Sequence, residues 1–252
     1  MIKADVTFLG HSTVLVQMGD ARVLTDPVLL DRVTMLRRTV TPLPAALYRD
    51  IDLVLISHMH LDHLDLPSLR MLGIDTPLIV PPGAGRMLQR MGFRAVSEMR
   101  AGRSDTVAGV TITATPADHS GFRPPFGPTG DAVGFVLDHD SERVYFAGDT
   151  DIFPQMSDLA GVDLALLPVW GWGPRLGPGH MDPERAAEAA RVLQPQAAVP
   201  IHWGTLWPMG MGRVMPHRLS RPPLDFAAAA ERAAPGVRVL LTPPGETVPI
   251  PR

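Results

Sequence analysis

What most constrains this chain is a series of short apolar runs, each bounded by Gly, Pro or Asp, that recur along its whole length. The first six are DVTFLG (5–10), TVLVQ (13–17), RVLT (22–25), DLVLIS (52–57), PLIV (77–80) and VTITATP (110–116). AVGFVLD (132–138), RVYFAGD (143–149), DLALLPV (163–169), AAVPIH (197–202) and VRVLLTP (237–243) follow. Their length, β-branched content and boundaries predict strands. Helix signals lie between some of them. Asp65-Leu66-Pro67 opens a short helix that stops at Gly73, and GAGRMLQRMG (83–92) holds another. Asp182-Pro183-Glu184 starts a helix through ERAAEAARVL, and Asp225 is expected to cap FAAAAERAA in the same way. Strands that come in runs and then alternate with helices predict an α/β fold of mixed sheets with helices outside them. No linker-like stretch or fixed-period repeat divides the 252 residues, so one domain, 1–252, is expected.

Composition narrows the chemistry. With 45% hydrophobic and 19% charged residues the chain can bury a substantial core. A net charge of −3 and the lack of a basic block argue against a nucleic-acid partner. No cysteine is present, which removes disulfides, thiolate ligands and a cysteine nucleophile. The N-terminal stretch lacks a signal-peptide pattern and no run has the length of a membrane span. A cytoplasmic location is expected, and membrane association is not.

Four of the apolar runs lead into a potential metal ligand. DLVLIS is followed by His58, His60, Asp62 and His63, VTITATPAD by His119, RVYFAG by Asp149 and AVPI by His202. A buried strand holds its end rigidly, so ligands far apart in sequence can be brought within about 2 Å of one ion. On an extended segment His58 and His60 point to the same side. The chain then turns toward Pro67, so that Asp62 and His63 can face a second ion. Imidazole with carboxylate suits Zn²⁺, and also Mn²⁺ or Fe²⁺.

The set HMHLDH (58–63), His119 in TPADHSG, Asp149 in FAGDTD and His202 in PIHWGT resembles the metallo-β-lactamase fold superfamily of metal-dependent hydrolases. GHSTVLV, LTDP, HMDPERAAEA and IHWGT are similar to the branch that holds N-acylphosphatidylethanolamine phospholipase D and the ascorbate-phosphate lactonases. The resemblance implies a four-layer αβ/βα sandwich of two mixed sheets. It implies two divalent ions, best suited to Zn²⁺: one held by His58, His60 and His119, a second by Asp62, His63 and His202, with Asp149 bridging. The diiron oxygen-reducing relatives would carry a glutamate at position 60, so hydrolysis is favoured. The interval from Asp149 to His202 is too short for the extra domain of many nucleic-acid-processing relatives.

Two such ions with two carboxylates leave net positive charge, which favours an anionic substrate. The expected activity is attack by a metal-bound hydroxide on a small or medium anionic ester, first a phosphodiester, alternatively a lactone or carboxylic ester. A nuclease and a non-catalytic metal-binding module are lesser alternatives. Asp62 is expected to orient the nucleophile or accept a proton. His180, in GPRLGPGHMDP, is the candidate substrate contact or leaving-group acid through its likeness to a histidine of the phospholipase branch.

Other residues carry weaker signals. His11 is read as supporting the ligands or packing a loop, and Asp26 as bracing a ligand loop. His139 is read as surface and His217 as rim. Trp170, Trp172, Trp203 and Trp207 are expected near the mouth of the site, and Arg123, Arg175 and Arg213 are loop arginines available for phosphate. Segment 28–48 reads as a lid or as a contact in a homo-oligomer, with a lipid-facing surface as the lesser alternative.

Overall fold

The computed structural model describes residues 4–211 and 213–251. The first half of the chain forms β1 (Asp5–Gly10), β2 (Thr13–Met18), β3 (Ala21–Thr25), β4 (Arg32–Val33), β5 (Leu36–Arg38) and β6 (Leu53–Leu55). It continues through α1 (Leu66–Leu72), β7 (Leu78–Val80), α2 (Gly85–Arg90) and β8 (Val96–Glu98). The second half runs through β9 (Ser104–Val107), β10 (Val110–Ser120), β11 (Asp131–His139), β12 (Glu142–Phe146), β13 (Leu164–Pro168) and α3 (Pro183–Leu193). It ends with β14 (Ala197–Ile201), β15 (Leu206–Pro208), α4 (Pro222–Ala233), β16 (Arg238–Val239) and β17 (Thr247–Pro249).

Two seven-stranded sheets result, ordered β17-β1-β2-β3-β6-β7-β8 and β16-β14-β13-β12-β11-β10-β9. Each begins with antiparallel meanders and becomes parallel where helices enter the connections. That is the mixed architecture the order of runs predicts.

Alternation along the strands builds the layers. In β6, Leu53 and Leu55 point into the core between the sheets, whereas Val54 and the following Ile56 join Leu69 of α1 and Leu88 of α2. In β12, Val144 and Phe146 face the central core, while Tyr145 lies under the alanine-rich faces of α3 and α4. Strands buried on both faces read as unbroken apolar runs, which is why the sequence shows so little polar alternation. The outcome is helices, sheet, sheet, helices: the four-layer αβ/βα sandwich.

The helix starts differ in kind. Asp65 caps α1 by accepting from Ser68 N–H, and Asp182 caps α3 by accepting from Arg185 N–H. The expectation that Asp225 caps the last helix is corrected: α4 begins at Pro222, and Asp225 sits inside the first turn, paired with Arg221 at 2.7 Å. Two prolines with preset φ and no N–H to satisfy make a side-chain cap unnecessary. Only Arg238–Val239 of the run 237–243 joins a sheet. His139 ends β11, half-buried against Gly19, instead of standing on the surface.

Segment 28–48 ends in a short 3-10 helix at Ala45–Tyr48. Before it the segment folds into the β4–β5 hairpin, whose β5 pairs with β15 in a third, three-stranded sheet. Val33 and Leu36 are buried with Val28 and Leu206, so the hairpin has its own small core. No helix among the described residues is long and apolar enough to cross a membrane.

Candidate metal centre

Strand ends at one edge of the sandwich deliver the polar residues, and several of them bend sharply to do so. His11, Asp26 and His202 follow β1, β3 and β14 with φ of 56°, 33° and 62°. Non-glycine residues rarely adopt such angles, and holding them there costs about 1 kcal/mol or more each. Gly148, at φ 61°, turns the chain from β12 into Asp149; a Cβ there would stand 2.5 Å from that of Ser57. His119 lies within β10, which extends past a bulge to Ser120, further than its apolar run indicates.

The structure brings all seven predicted ligands together. His58 Nε2 and His119 Nε2 stand 3.0 and 3.1 Å from His60 Nδ1. His63 Nε2 and His202 Nε2 are 3.1 Å apart, with Asp62 Oδ2 at 3.8 and 4.0 Å from them. Asp149 lies between the two groups. Its Oδ2 is 3.9 Å from His58 Nε2 and 3.2 Å from His63 Nε2, and its Oδ1 is 3.2 Å from His202 Nε2.

The outward-facing nitrogens decide which atoms are free. His119 Nδ1–H donates to Gly179 O at 2.7 Å, and His202 Nδ1–H to Trp170 O at 2.8 Å. A carbonyl can only accept, so those Nδ1 atoms carry the protons. Ser57 Oγ–H donates to Asp26 Oδ2 at 2.6 Å, which leaves Oγ to accept from His58 Nδ1–H at 3.0 Å. Burial above all, and then neighbouring imidazoles, hold His58 well below its ordinary pKa. Burial likewise lowers His202 and His119, and brings His60 to about 4. These rings are neutral, and the Nε2 atoms of His58, His119 and His202 are therefore bare.

Asp149 Oδ1, buried without a hydrogen bond, faces the bare Nε2 of His202 at 3.2 Å. Acceptors pointed at acceptors are repulsive unless a cation sits among them. Tetrahedral bonds of about 2.0–2.1 Å to nitrogen would place donors about 3.3 Å apart, close to the spacing found. The residues fit divalent ions.

Each donor is braced from behind. Asp26 takes Ser57 N–H at 2.7 Å and the Ser57 hydroxyl, and lies 2.7 Å from His63 Nδ1. For His63, the lowering effect of burial is outweighed by Asp149, Asp26 and Asp62, which raise it well above the usual imidazole value. Asp62 is buried, which would raise its pKa, yet His63 and a hydrogen bond from His11 hold it well below the carboxylate range. Arg123 is not a phosphate ligand: its buried guanidinium donates to Met59 O and Leu64 O, both at 3.0 Å, and clamps the ligand loop.

Beside the donors opens a cavity of about 540 Å³. Val33, Met35 and Leu36 of the hairpin, Leu61, Trp172 and Leu176 give it apolar walls, and Arg175 is a cationic side chain in its lining. His180 lines it too. Its Nδ1 lies 3.2 and 3.0 Å from Gly177 O and Pro178 O, and its Nε2 3.4 Å from Asp149 Oδ2. Burial lowers His180, but the hydrogen bond and charge of Asp149 outweigh it and raise the pKa. Of the four tryptophans only Trp172 lines the cavity. Trp170 and Trp207 are buried, and Trp203 packs against Phe8 in the core. His217 and Arg213 are exposed and outside the lining.

Sequence reasoning gave His11 and Asp26 supporting roles but did not name three contacts. His11 Nε2 bonds Asp62 Oδ2 at 2.9 Å, Trp172 Nε1–H bonds the same oxygen at 3.0 Å, and Ser57 links His58 to Asp26.

Fold and donor set together define a metal-dependent hydrolase of the metallo-β-lactamase superfamily. The chain belongs to the family described as "Beta-lactamase superfamily domain", whose model matches residues 21–203. It is 34% identical over 254 residues to a UPF0173 metal-dependent hydrolase of Pelotomaculum thermopropionicum, covering 96% of this chain and 98% of that protein. It is also similar to N-acyl-phosphatidylethanolamine-hydrolyzing phospholipase D 1 of Caenorhabditis elegans, at 31% identity over 81% of this chain and 64% of that protein. Among solved structures, a metallo hydrolase of Ignicoccus hospitalis superposes with a TM-score of 0.77 at 26% identity, covering 98% of each chain.

Proposed function

We propose that the protein is a two-ion hydrolase of anionic esters, with phosphodiesters as its first substrate class and Zn²⁺ as its metal. The observation that carries this reading is the pairing of two donor groups, His58/His60/His119 and Asp62/His63/His202, on either side of Asp149. Divalent ions bound there would supply Lewis acidity, lowering the pKa of water from about 15.7 toward about 7 and offsetting negative charge at the reacting centre.

The chain's own residues do the rest. Asp62 Oδ2 already accepts from His11 and Trp172. A carboxylate so occupied orients its neighbours and is poorly suited to taking up a proton. His180 lines the cavity with its Nε2 3.4 Å from Asp149 Oδ2, and is placed to give a proton to a leaving alkoxide. Arg175 offers a charged donor to a phosphate oxygen, and the apolar walls accept the ester's hydrocarbon portion and exclude water from it. The activity named for the C. elegans relative supports the phosphodiester class.

The test is hydrolysis of an activated phosphodiester by metal-reconstituted protein, beside an activated carboxylic ester and an Asp62→Ala control. Asp62-dependent phosphodiester cleavage supports the proposal. Cleavage of the carboxylic ester alone would move the assignment to lactones and acyl esters. Inactivity on both with two ions bound would count against catalysis.

A further inference from the structure

The turn Trp170-Gly171-Trp172-Gly173 reaches two candidate ligands at once. Trp170 O accepts His202 Nδ1–H at 2.8 Å, and two residues later Trp172 Nε1–H donates to Asp62 Oδ2 at 3.0 Å. The turn is stiff. Trp170 Nε1–H closes it on Gly173 O at 3.2 Å, and Gly173 has a φ of 86°, where a side chain would be strained. Trp170 is buried, and the Arg218 guanidinium lies 4.1 Å over its ring, anchoring the turn from behind. At Gly171 a Cβ would meet Leu176 at 3.3 Å and the His202 ring at 3.4 Å, so the chain passes close to the site.

We infer that this turn is a positioning element for the Asp62–His63–His202 half of the site, and that Trp172 acts on Asp62 through its indole N–H. The inference rests on the reading of these residues as donors to a second ion. A carboxylate left alone rotates about its last bond. Oδ2 of Asp62 is fixed by two donors, His11 from the buried side and Trp172 from the cavity side. The ring of Trp172 is also cavity wall and 40% exposed. One side chain therefore links what occupies the cavity to the orientation of a metal-binding carboxylate.

Trp172→Phe keeps an aromatic wall and deletes the N–H. The experiment is stepwise Co²⁺ titration of the metal-free protein, followed by visible absorption, for wild type, Trp172→Phe, Asp62→Asn and the double variant. Wild type should take up two ions. In Trp172→Phe one step should weaken roughly 10–100-fold, the range for losing a partner behind a ligand, while the other holds. It should be the same step that Asp62→Asn weakens, and adding Trp172→Phe to Asp62→Asn should change nothing further. Unaltered melting of metal-free Trp172→Phe separates this effect from damage to the fold. Two undisturbed steps in Trp172→Phe, equal weakening of both, or a full additional loss on the Asp62→Asn background would each overturn the inference. Fewer than two ions in wild type would instead overturn the two-ion reading on which it rests.

Discussion

Asp26 Oδ2 stands 2.7 Å from His63 Nδ1 and accepts the Ser57 hydroxyl at 2.6 Å, so one buried carboxylate orients His63 directly and His58 through Ser57. In the proposed assignment the two histidines belong to different donor groups. Asp26 is thus a shared support for both halves of the site.

Asp26→Asn should therefore weaken both metal-binding steps, each by roughly 10–100-fold. An amide keeps the shape but presents N–H where a second acceptor is needed. Competition against a chromophoric chelator reads the result. Weakening of a single step would show that Asp26 serves only one ring.

His180→Ala should lower kcat by about 10²–10⁴-fold, the usual contribution of a positioned acid, with metal content unchanged. The deficit should shrink for esters whose leaving group is a stable anion, since these need no proton. Metal analysis and a comparison of good and poor leaving groups check both parts. Equal losses across leaving groups would point to substrate contact instead of proton donation.

Arg175→Ala should raise KM for a phosphodiester on the order of 10-fold or more, from loss of a hydrogen bond to a charged group. A neutral ester should be affected far less. Parallel kinetics on both substrates read the difference, and identical changes would remove Arg175 from anion binding.

Stripping the metal should lower the melting temperature. Each ion at 100 times its dissociation constant would stabilise the fold by about 2.7 kcal/mol. For a chain of this size that is roughly 5–11 °C. Differential scanning fluorimetry with chelator and then added Zn²⁺ measures it, and a midpoint indifferent to both would mean the donors hold no ion in solution.

Much of this architecture was legible because its causes are local. Strands such as DLVLIS are set by apolar runs with clear boundaries, and the caps at Asp65 and Asp182 declare their helices within four residues. The donor set could be read because its densest part, residues 58–63, lies on one short segment. What escaped depends on pairings between distant parts of the chain. The β4–β5 hairpin exists because β5 finds β15 more than 160 residues later, as at Leu36 and Pro208. Arg123 looked like any loop arginine until the fold placed it beneath Met59 O and Leu64 O. The tryptophans are identical in sequence terms, and only their neighbours separate the cavity wall at Trp172 from the core at Trp203.

His63 and His202 bring their Nε2 atoms to 3.1 Å although they are 139 positions apart in the chain. An ion gripped by both would tie a long loop shut in a protein that has no cysteine. In the unfolded ensemble such a tie removes freedom as a covalent cross-link does, an effect of about 4.7 kcal/mol for a 100-residue disulfide loop. Unlike a disulfide it opens and closes with the supply of metal. The centre would in that sense be a reversible staple between the two sheets, governed by metal availability and not by the redox state of the surroundings.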